Sequence, residues 1–149
     1  MLLFKNFSVS FDVEKNGWVK MNLRPSDDQF YLRLSYLYSP FDDILKMIKN
    51  IENGSTAEEI YIDEEGVGAT LSVQSTSNYL ELDISVDVHN AGDIPDDHYK
   101  CRTKREVFIY AFRWAFMELE DEGFDPNYWD QHDEGYEYGE DETNPRETN

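Results

Sequence analysis

Apolar and polar residues alternate through the first part of the chain. Phe7, Val9, Phe11 and Val13 are interleaved with Ser8, Ser10, Asp12 and Glu14, the period-two pattern of a strand with one wet face. Asn16-Gly17 supplies a turn, a second run carries Val19, Met21 and Leu23 up to Pro25, and a third carries Phe30, Leu32, Leu34 and Tyr36, which predicts an antiparallel meander. The period then changes. Phe41, Ile44, Leu45, Ile48 and Ile51 fall on one helical stripe. Ser39 is placed to cap it, with Pro40 at the first helical position, Asp42-Asp43 at the favourable dipole end and Asn53-Gly54 to close it.

The next stretch reads as a second pass. Ile60 and Ile62 make a short strand, residues 63–66 turn it, Ala69, Leu71 and Val73 make another, and Leu80, Leu82, Ile84, Val86 and Val88 make a long one. Shifting the chain by fifty places lays Met21 on Leu71, Leu23 on Val73, Phe30 on Leu80, Leu32 on Leu82 and Leu34 on Ile84. That fits a duplicated three-strand-plus-helix unit, although alternating strands also superpose by chance. Residues 89–100 read as a polar loop. From 103 to 122 a long helix is predicted, nearly encircled by apolar residues: Val107, Tyr110, Ala111 and Trp114 keep helical spacing, and Phe108, Phe112, Ala115, Phe116 and Leu119 fill the adjacent sector. Such a helix requires cover on two sides, and Thr103-x-x-Glu106 fits a capping box at its start. The expectation is an α+β fold, with an antiparallel sheet of about six strands in βββα-βββα order and two helices on one face. Residues 1–122 form the single domain and 123–149 an acidic, aromatic C-terminal tail, of which 124–129 packs back and the rest orders only on a partner.

Charge changes the picture more than composition does. The 149 residues include 40% hydrophobic and 15% aromatic side chains, ample for a core, yet 32 acids against 13 bases give a net charge of −19. A field of that sign disfavours direct binding to nucleic acid or to an anionic membrane, so partners are expected to be basic proteins. The single Cys101, the short apolar run at the start and the lack of a stretch long enough to span a bilayer point to a soluble protein in a reducing cytoplasm. The last predicted helix is charged against its dipole at both ends. Lys100, Arg102, Lys104 and Arg105 crowd its start, and Glu118, Glu120, Asp121 and Glu122 its end. Uncompensated violations of local rules are where function is sought.

Candidate chemistry is sparse. His89, Asp93, Asp96, Asp97, His98 and Cys101 do not match a structural zinc spacing, so no metal and no cofactor is assigned. Cys101 beside Lys100 and Arg102 has no evident orienting base, the carboxylate doublets sit in turns, and Gly66-Val67-Gly68 lacks the lysine and helix of a phosphate loop. An enzyme is not expected. Rings interleaved with charge suit single-stranded nucleic acid when the charge is positive; here it is negative, which suits a mimic of nucleic acid that occupies a basic groove.

The segment SYLYSPFDDILKMI leading from strand to helix, IDEEG at a hairpin, a late helix and a Gly-Phe aromatic tail together resemble the immunity proteins of bacterial polymorphic and contact-dependent toxin systems. The resemblance implies a cytoplasmic inhibitor that binds one cognate toxin domain, often a nuclease, with no catalytic residues. The expected partner-binding surface is Glu118, Glu120, Asp121, Glu122, Asp125, Asp130, Asp133 and Glu134, with Tyr128, Trp129 and Tyr136 as anchors. A secondary surface is the hairpin end Asp63, Glu64 and Glu65 with Glu58 and Glu59. The alternatives are a self-assembling scaffold or homodimer, in which the basic helix start of one copy meets the acidic helix end of another, and a DNA-mimic inhibitor of a host nucleic-acid enzyme.

Overall fold

A computed structural model describes residues 7–14, 18–25, 29–35, 38–65, 67–89 and 97–124. Three strands, β1 (Phe7–Val13), β2 (Trp18–Pro25) and β3 (Phe30–Ser35), form one antiparallel sheet; four more, β4 (Ala57–Asp63), β5 (Gly68–Ser75), β6 (Glu81–His89) and β7 (Asp97–Lys104), form a second in consecutive order. Helix α1 (Phe41–Glu52) links the sheets and α2 (Arg105–Asp121) follows the second. The α+β class, the antiparallel pairing and the two helices agree with the pattern of the sequence.

Two details differ from the expected layout. The strands divide between two sheets, and a seventh replaces the end of the loop expected over residues 89–100. Asp97–Lys104 pairs with β6 from Val88↔Asp97 to Glu81↔Lys104, and turns Cys101 and Thr103 inward. The capping box therefore does not form: Thr103 is a buried strand residue, and the helix starts at Arg105 behind an extended Lys104 with no side-chain cap. At α1 the structural N-cap is Pro40, again with no side-chain cap bond, so Ser39 does not take that role.

Both helices end in the same way, with a glycine in the left-handed region: Gly54 at φ 103 and Gly123 at φ 89. Ser55 N–H donates to Asn50 O and Gly54 N–H to Ile51 O; Phe124 N–H donates to Leu119 O and Gly123 N–H to Glu120 O. These paired bonds satisfy carbonyls that a helix end otherwise leaves open, and φ values of this kind are available to glycine at little steric cost.

The apolar faces of both sheets and both helices join one core. Helix α2 lies against β1, and α1 touches β4 and α2. Aromatic rings run through the junction. Phe7 meets Phe108 at 5.5 Å between centroids, Phe11 meets Phe116 at 5.0 Å, and Phe41 lies 6.0 Å from Phe116 and 5.9 Å from Phe124. Edge and tilted contacts of this kind add roughly 0.5–1.5 kcal/mol each beyond burial. Phe124 thus packs back on α1. Between the sheets, Phe30 of β3 stacks on Tyr99 of β7 at 4.6 Å.

Candidate functional interface

Helix α2 buries Phe108, Ala111, Phe112, Ala115 and Leu119. On the opposite side Tyr110, Trp114 and Met117 remain 66%, 48% and 54% exposed, with the Tyr110 and Trp114 rings stacked at 6.2 Å. At 3.6 residues per turn these three positions form one line along the helix. Among the described residues nothing covers this second side, which faces outward. Glu106 extends the same line toward the helix start and Asp121 toward its end, both exposed. Beside Tyr110 a groove of about 890 Å³ opens between the start of β1, the end of α1 and the first half of α2, with Phe7, Val107 and Ile109 among its apolar walls and Glu52, Glu106 and Arg113 among its polar ones.

The acids at the end of α2 are exposed. Glu118, Glu120, Asp121 and Glu122 stand on the last turn and its cap, and among the described residues no ion pair involves any of them. Asp125, Tyr128, Trp129, Asp130, Asp133, Glu134 and Tyr136 lie outside the described residues.

The secondary surface divides. Glu58 accepts from Asn50 Nδ2 at 3.1 Å and Ser55 Oγ at 2.6 Å, tying β4 to the end of α1. Glu64 accepts the Arg33 backbone N–H at 3.0 Å and Glu65 accepts from Ser35 Oγ, so both reach across to β3 of the other sheet. Burial holds the Glu64 carboxyl above the ordinary carboxylate value, opposed by the Arg33 N–H and guanidinium. Asp63 Oδ1 accepts the N–H of Glu65, whose φ of 62 is left-handed. Glu59 remains exposed on β4. Two of the five, Glu64 and Glu65, thus join the two sheets.

Several of the bases are engaged within the fold. Arg105 is only 7% exposed; its guanidinium donates to the carbonyls of Tyr79 at 2.9 Å, Ile51 at 3.3 Å and Ser55 at 3.0 Å and to Ser75 Oγ, and lies 3.9 Å from the Tyr79 ring centroid. Arg102 forms a two-pronged bond with Asp83 across β6 and β7, which holds its pKa up. Arg113 does the same with Glu52, and the hydrogen bond from Arg113 is the main cause that depresses the Glu52 pKa. On the outer face of the three-stranded sheet, Lys20 lies 4.8 Å over Tyr31 and Arg33 4.4 Å over Trp18, cation–π contacts that the strand pattern did not reveal.

The residues considered for catalysis are dispersed. Cys101 is buried opposite Ile84, and His98 pairs with Asp87 on the neighbouring strand. Asp93 and Asp96 lie outside the described residues, and among the described ones no three His, Cys, Asp or Glu side chains are grouped to hold a metal. No described helix is long and apolar enough to cross a membrane.

No protein-family model and no curated protein matches the chain. Among solved structures, that of the plant transcriptional regulator PBF-2 is similar over 87% of this chain and 88% of that one, at 14% identity and a TM-score of 0.43. Likeness so distant carries no argument about function.

Proposed function

We propose that this chain is an interaction protein of the immunity type, an inhibitor that binds a basic toxin or nuclease domain and occludes it without chemistry of its own. One observation carries the reading: four exposed carboxylates, without an ion pair among the described residues, stand at the negative end of the α2 dipole, where each disfavours the helix by roughly 0.3–1 kcal/mol. A basic partner relieves that repulsion, and complementary charge speeds its encounter. The self-assembled alternative draws on Lys100, Arg102, Lys104 and Arg105, of which Arg102 and Arg105 are already engaged within the chain while Lys100 and Lys104 are exposed. The DNA-mimic reading shares the same acids and differs only in the class of basic protein.

Affinity capture tests this, with the full chain and with its Glu118→Gln/Glu120→Gln/Asp121→Asn/Glu122→Gln variant as baits. The expected result is a basic protein retained by the wild type, released by added salt, and reduced by about tenfold or more on the variant. An acidic partner, or equal retention by both baits, overturns the reading.

A further inference from the structure

The partner's own surface is legible from α2. We infer that the exposed line Tyr110, Trp114 and Met117 is the docking seam for a basic amphipathic helix, one whose apolar stripe is flanked by Lys or Arg; this rests on the reading of a basic partner and specifies how that partner is held. Tyr and Trp are the residues on which binding energy concentrates, and their spacing of four and then three residues is that of helix-to-helix anchors. The three positions span about two helical turns, enough for a ridge of a second helix to seat along them. The groove beside Tyr110 adds a concave apolar wall to the convex one.

Charge selects the occupant. Glu106 and Asp121 continue the line at either end, Glu118 and Glu120 flank it, and Arg113 beside it is already held by Glu52. A second copy of α2 laid antiparallel about Trp114 sets Glu106 beside Glu122 and Tyr110 beside Glu118, and a parallel copy sets each acid beside itself. Both arrangements bring like charges together in a chain of net charge −19, so a second copy is disfavoured where a base-flanked helix is favoured.

The test uses two labelled synthetic helical peptides of equal length and equal lysine content. In one, leucines occupy the positions i, i+3, i+4 and i+7; in the other, glutamines replace them. Fluorescence anisotropy with the full chain is expected to show the leucine peptide binding about tenfold or more tighter than the glutamine peptide. The Tyr110→Gln/Trp114→Gln variant abolishes that difference and leaves glutamine-peptide binding unchanged, while the four-acid variant weakens both peptides. Thermal melts of both variants establish that they are folded. Equal binding of the two peptides overturns the seam but leaves the acidic surface standing; binding of neither overturns both. Sedimentation supplies the remaining outcome: a dimer lost in Tyr110→Gln/Trp114→Gln shows that a second copy covers the seam, and the inference fails.

Discussion

The two ends of α2 pose the same problem, and the fold answers it at only one of them. Bases crowd the start and acids the end, each against the dipole. At the start, Lys100, Arg102 and Lys104 belong to β7 rather than to the helix, Arg102 is bound to Asp83, and Lys104 alone stands exposed at the N-cap. Arg105 is drawn inward, where it gathers carbonyls from the end of α1, the link from α1 to β4 and the turn between β5 and β6. Its positive charge sits against the end of α1, where the dipole of that helix favours a cation. At the other end of α2, Gly123 and Phe124 satisfy the backbone, and the four acids gain no base among the described residues. A charge violation is therefore evidence of function only once the fold has had the chance to explain it.

The largest expected effect tests the explained end. Arg105→Met keeps an apolar stem but leaves buried acceptors from three segments without their donor, and a loss of about 3–5 kcal/mol is expected. For a domain of this size that lowers the melting temperature by on the order of 10 °C. A loss within about 0.5 kcal/mol, the ordinary range of a surface substitution, would remove Arg105 from this role.

The unexplained end gives the opposite sign. Neutralising Glu118, Glu120, Asp121 and Glu122 together is expected to stabilise the chain by about 1–2 kcal/mol at low ionic strength, because each acid opposes the dipole and its neighbours. Chemical denaturation at two salt concentrations checks this, and the gain shrinks as salt screens the field. Surfaces kept for binding at a cost in stability behave in this way. A destabilised variant would mean that the acids are paired within the chain after all.

How much of this was legible in the sequence follows from the range of each interaction. Strands β1 to β6 and α1 were legible because their apolar periods are local. Strand β7 was not: Tyr99, Cys101 and Thr103 alternate inward, but they are weak apolar markers among Lys100, Arg102 and Lys104. Arg105 was beyond reach because its acceptors lie 26 to 54 residues away. Periodicity placed Tyr110 and Trp114 on the helix with Val107 and Ala111, without revealing that the side carrying Tyr110 and Trp114 is covered by nothing described. The fifty-residue repeat illustrates the same limit. Phe7–Val13 and Trp18–Pro25 shift by fifty onto Ala57–Asp63 and Gly68–Ser75, yet Val9 pairs with Leu23 while Ile60 pairs with Leu71. That one-residue offset turns the even positions of β4 inward where β1 turns its odd ones.

Two further acids extend the comparison at the smallest scale, since both have partners but differ in burial. Glu64 is held above the ordinary carboxylate value, so in the window between that value and its raised one the native chain binds the proton that the unfolded chain has released. Stability should therefore fall as pH rises through that window. Glu64→Gln should remove this slope while its amide oxygen still accepts the Arg33 N–H. Glu52 is depressed by Arg113, so its contribution is present above the ordinary value and is lost as pH falls through the depressed one. The pair is largely exposed, and Glu52→Gln should cost at most about 1 kcal/mol at neutral pH. Denaturation midpoints across the acidic range separate the two, because the single substitutions change the pH dependence in opposite directions. Parallel changes would mean that Arg33, not burial, governs Glu64, as Arg113 governs Glu52.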